Sequence, residues 1–167
     1  MTSEESDYLL RLASFSLSFV GFSAVVVSLR GALGGALSER HLRLVRMYIE
    51  GGLLVTALAL VPPLLNLLHF ADKIVWPVSS AVAAAIFTGV LVLQFLRRRT
   101  VEGARFPAWV ITIYAGSTLV VVGLWLNAAG FPLPSGFGPY AVFLTWSLFI
   151  SGFIFVRTIE LFLNRDA

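Results

Sequence analysis

Apolar residues run along this chain in long uninterrupted blocks, and the few charged residues fall between them. Eighteen uncharged residues separate Arg11 from Arg30, 21 lie from Gly51 to Ala71, and 23 from Ile74 to Leu96. Nothing between Arg105 and Arg157 is charged, a run of 51 residues. About 20 apolar residues suffice to cross the hydrocarbon as a helix, so the last run must fold back on itself. The turn is legible as GFPLPSGFGP, residues 130–139, where three prolines and three glycines in ten positions cannot continue a helix.

This pattern predicts five transmembrane helices, at about 10–30, 43–69, 74–96, 107–128 and 139–163. Continuous apolar runs of helical crossing length argue against a β-barrel, whose strands alternate in and out over about ten residues. The expected fold is therefore all-α: one polytopic membrane domain over residues 1–167, built as a five-helix bundle. The connection FADK, residues 70–73, is too short for spans two and three to be anything but antiparallel neighbours.

Composition agrees with the pattern. The chain is 58% hydrophobic and 13% charged, whereas soluble domains carry about a quarter charged residues. Charge then adds a direction. Arg30, Arg40, Arg43, Arg46, Arg97, Arg98, Arg99, Arg105, Arg157 and Arg165 share one side of the predicted bundle, against Arg11 and Lys73 on the other. By the positive-inside rule the N-terminus is expected outside and the C-terminus in the cytoplasm, as in a bacterial-type inner membrane or plasma membrane. The basic residues are expected to mark topology and contact anionic lipid, not to bind nucleic acid. An acidic start, MTSEESD, is unlike the basic opening of a signal peptide, so span one is expected to be retained.

Candidate chemistry is sparse. With no cysteine there is no thiolate ligand or cysteine nucleophile, and His41 and His69 are expected on opposite sides of the membrane. No cofactor, metal or catalytic residue is expected. The one lysine, Lys73, sits in a loop, and GFSA at 21–24 has no histidine at comparable depth to serve its serine.

Four ionisable residues remain near the membrane. Arg46 and Glu50, four apart, share a face of span two; Arg157 and Glu160, three apart, share a face of span five. Three arrangements are open: two interfacial pairs, each within its own helix; a network joining spans two and five through Glu50–Arg157 or Arg46–Glu160; or Glu50 at the inner mouth of a polar path. Pro62 and Pro63 remove the donors for the carbonyls of Leu58 and Ala59, which predicts a kink in span two. Asn66, one turn on, is expected to hydrogen-bond between helices, and His69 to be solvated near the outer headgroups.

Small residues form the other pattern. Ser14, Ser18, Gly21, Val25 and Ser28 recur at spacings of four and three and share one face of span one, while Ser16 and Ser23 share another. The first face is expected to pack against another helix or to line a pore. Ser79 to Ala85 in span three and Ser147, Ser151 and Gly152 in span five extend the small-residue theme. Trp76, Trp109, Trp125 and Tyr140 are expected at the interfaces, and Trp146 in the bundle.

These features lead to an expected non-enzymatic, homo-oligomeric channel or transport-type protein of the membrane, with self-association in the bilayer. The alternative is a structural or accessory subunit that binds a partner membrane protein.

Overall fold

The computed structural model describes residues 1–32, 39–99, 108–132 and 134–163. They form five helices: α1 (Ser3–Ala32), α2 (Glu39–Leu67), α3 (Asp72–Arg99), α4 (Ala108–Ala129) and α5 (Phe137–Leu163). Each is long and apolar enough to cross a membrane. The starts of α1, α3 and α5 meet the ends of α2 and α4 at one end of the bundle, the turn end. Arg46 and Arg157 lie toward the other, the basic end.

Most helix limits follow from local chemistry. Helix α1 begins at Ser3, before its apolar run, because Thr2 and Glu5 make a reciprocal capping box: Glu5 N donates to Thr2 Oγ1 at 3.2 Å, and Thr2 N to Glu5 Oε2 at 2.7 Å. Helix α2 stops where His69 takes a left-handed φ of 60°. There His69 N donates to Asn66 O and Phe70 N to Leu65 O, the two bonds of a Schellman cap. The same pair of bonds ends α4 at Gly130, φ 68°. Helix α5 starts at Phe137, inside the predicted turn, since Pro139 falls in its first turn where no N–H is needed.

Helices α2 and α5 are central. Helix α1 lies against α2 and touches α5, while α4 lies against α3 and α5 on the other flank. Close approach is bought by small residues. A Cβ on Gly52 would sit 2.4 Å from Val20 of α1, one on Gly51 2.9 Å from the Ser151 hydroxyl of α5, and one on Gly116 2.3 Å from the Trp146 ring. The adjacent glycines of α2 thus serve two different neighbours.

The core has two parts. Toward the turn end, Leu9, Leu58, Trp76, Leu124, Tyr140 and Phe143 pack together, with Phe87 edge-on to Phe143 at 4.6 Å. Toward the basic end, Phe155 receives Phe19 and Tyr48 edge-on at 5.4 and 5.3 Å. Much of the remaining apolar surface faces outward, as a lipid-facing bundle requires.

Candidate functional site

The charged layer resolves into two separate pairs. Arg46 Nε donates to Glu50 Oε1, and Arg157 donates to Glu160 at 2.7 Å, each pair along its own helix and each exposed. The Arg157 guanidinium also stands 5.6 Å over the Phe153 ring. The inter-helix network between α2 and α5 does not form: at i,i+4 and i,i+3 spacing each arginine meets a carboxylate without leaving its own helix. Glu50 is brought next to no other ionisable group among the described residues.

The expected packing face of α1 turns outward. Ser14, Ser18, Gly21, Val25 and Ser28 are all exposed, and a Cβ on Gly21 would meet nothing within 4 Å. Their hydroxyls donate back along the helix, Ser14 to Leu10 O, Ser18 to Ser14 O and Ser28 to Ala24 O, each at 2.9 Å. The seam within the fold runs instead through Leu9, Ala13, Ser16, Val20 and Ser23. Ser16 donates across it to the Gly52 carbonyl of α2 at 2.8 Å. Both faces have small residues at helical spacing; only Ser16's face meets the glycine that admits it.

The proline pair lies within a continuous helical segment, and one of the two carbonyls it frees is met from another helix. Pro62 cannot donate to the carbonyl of Leu58, and the buried Tyr140 hydroxyl of α5 does so at 2.7 Å. This places Tyr140 in the core, not at an interface, because an unmet carbonyl in hydrocarbon costs several kcal/mol. Trp76 is likewise interior, edge-on to Phe137 at 5.6 Å and tilted 6.1 Å from Tyr140. Trp109 and Trp125 face outward, and Trp146 packs in the bundle with Nε1 donating to Ser117 Oγ at 3.3 Å. Asn66 is exposed near the end of α2 and makes no side-chain bond between helices. His69 is exposed, and its backbone, not its ring, has the structural role.

Asn127 had no sequence signal beyond being an amide in an apolar span. It is buried and gathers the turn end: Nδ2 donates to Ser80 Oγ of α3 at 2.8 Å and to Gly136 O at 3.0 Å, and Oδ1 accepts from Gly136 N at 2.9 Å. Ser135 Oγ donates to its backbone carbonyl. One amide thereby closes the proline-rich turn onto two helices.

Elsewhere several interior hydroxyls are taken up by helix backbone. Ser23, Ser147, Ser151 and Thr158 each donate to the carbonyl four residues earlier. Among the described residues, no three His, Asp or Glu side chains come together in a group that could hold a metal ion. The fold defines the class: an all-α, multi-pass membrane protein of five helices, each long and apolar enough to cross a membrane. No protein-family model, curated protein or solved structure matches the chain.

Proposed function

We propose that the protein is a non-enzymatic, self-associating membrane protein of channel or transport type, with the Ser14, Ser18, Gly21 and Ser28 face of α1 turned toward a second copy. The observation that supports this reading is the outward position of that face. In lipid, small residues promote helix contact by letting backbones approach, since apolar surface alone gives no preference for protein over lipid. A path for solute, on this reading, lies on the axis between copies, lined by the outward face of α1 from each of them. Glu50 stands at the basic end, where a carboxylate could select cations at the mouth of such an axis.

A second reading has the same face receiving a different membrane protein, the chain being a structural or accessory subunit. It is favoured by the satisfied state of Ser14, Ser18 and Ser28, which ask nothing polar of what covers them. In either case the basic end is read as cytoplasmic, in a bacterial-type inner membrane or plasma membrane.

The chain has no cysteine, so a Ser18→Cys variant carries a single thiol. Oxidation of native membranes should give a disulfide dimer of this chain, and reconstituted wild type should pass ions at a rate lowered by Glu50→Gln. A Ser18 crosslink to a different protein without flux favours the accessory reading. No crosslink and no flux would remove both.

A further inference from the structure

Ser79 is the one buried side chain, among the described residues, whose oxygen has no hydrogen-bond partner. Its relative exposure is 0%. Buried Ser16, Ser23, Ser147, Ser151 and Thr158 donate to the carbonyl one turn back or across a helix contact, and Ser80 accepts from Asn127, which makes this exception informative.

Its surroundings follow from the faces of α3. Ser80, the next residue, accepts from Asn127, so that flank of α3 belongs to α4. Trp76, one turn before Ser79, packs on Tyr140 of α5. Ser79 sits on the other side of Trp76 from Ser80, with Val75 one turn behind it, and both Val75 and Trp76 are buried. That is the flank left for α2.

Depth points to the same place. Helix α2 ends at Leu67 and α3 begins at Asp72, antiparallel across a short connection. The Leu58 carbonyl points toward the Pro62 level of α2, five residues from that end. With about 1.5 Å of rise per residue, Pro62 lies roughly 7.5 Å from the end of α2 and Ser79 roughly 10.5 Å from the start of α3, comparable distances from the connection that joins them. At this level the Tyr140 hydroxyl donates its only proton to the Leu58 carbonyl and keeps its lone pairs free to accept.

We propose that one ordered water molecule is bound at this junction of α2, α3 and α5, accepting from the Ser79 hydroxyl and donating to Tyr140 Oη at the level of Pro62. A water with two to four polar partners is the usual way a buried orphan group is met, and the Leu58 carbonyl offers a further lone pair. A small cation fits less well, since no carboxylate faces the site and the oxygens on hand are too few for its coordination. The water ties the proline-containing turn of α2 to both neighbouring helices.

The test is water-edited solid-state NMR of the full chain in lipid, combined with SDS unfolding titrations of Ser79→Ala, Tyr140→Phe and the double variant. A long-lived water signal should reach Ser79 and Tyr140 and vanish in Ser79→Ala. That substitution should raise the unfolding constant about threefold to tenfold, and its effect should shrink in the Tyr140→Phe background. No water signal at these residues, or a Ser79→Ala variant as stable as wild type or more stable and additive with Tyr140→Phe, would overturn the proposal.

Discussion

His69 and Gly130 occupy the same position in two caps at the turn end, and only one has the residue that such a position favours. A left-handed backbone strains any side chain with a Cβ, and a glycine does not feel that strain. His69→Gly should therefore stabilise the chain by about 1 kcal/mol, and Gly130→Ala should destabilise it by about the same. Thermal unfolding in detergent reads both signs. If His69→Gly instead lowered stability, the ring would have a role that its exposed position does not suggest. Tyr140 teaches the converse at this scale. A tyrosine beside a turn reads as an interfacial residue until the proline that needs its hydroxyl is found on another helix.

Among the helices, the contrast lies in where small residues point. Gly52 and Gly116 sit under Val20 and Trp146, closer than a methyl group allows. Alanine at either should cost about 1–3 kcal/mol, since backbone must move or a side chain must leave its rotamer. Gly21→Ala meets open space and should be neutral or stabilising by up to about 1 kcal/mol, the ordinary gain of alanine over glycine in a helix. The three variants, unfolded as dilute detergent-solubilised protein, separate the seam of the fold from the outward face. A larger residue at Gly21 should leave that stability intact and weaken the Ser18 crosslink between copies.

For the whole molecule, the two ends of the bundle differ in character. Asn127 and two Schellman caps close one end; Arg46 and Arg157, each paired with a carboxylate, mark the other. With the charge bias of the sequence, this predicts an orientation that a membrane-impermeant maleimide can test. Glu4→Cys in intact cells should be labelled from outside, and Asp166→Cys only after the membrane is opened. The reverse pattern would invert the orientation, and with it the place of Glu50.

Five helices of crossing length were legible in the residues alone, because continuous hydrophobicity is a local property and charges delimit it. The two ion pairs were also open to reading, since residues three or four apart on a helix are neighbours before any tertiary contact. What remained open was rotation. Lipid is as apolar as a protein core, so hydropathy cannot tell an inward face from an outward one. Helix α1 has two small faces, and only the fit of Ser16 and Val20 over Gly52 chose between them. The partners of Asn127, Tyr140 and Ser80 lie on other helices, at sequence separations that no local pattern spans. The sequence by itself therefore determined that the chain has five helices able to cross a membrane. Tertiary structure alone decided which side of each helix is buried, because that depends on shape and on backbone groups left unpaired, not on hydrophobicity.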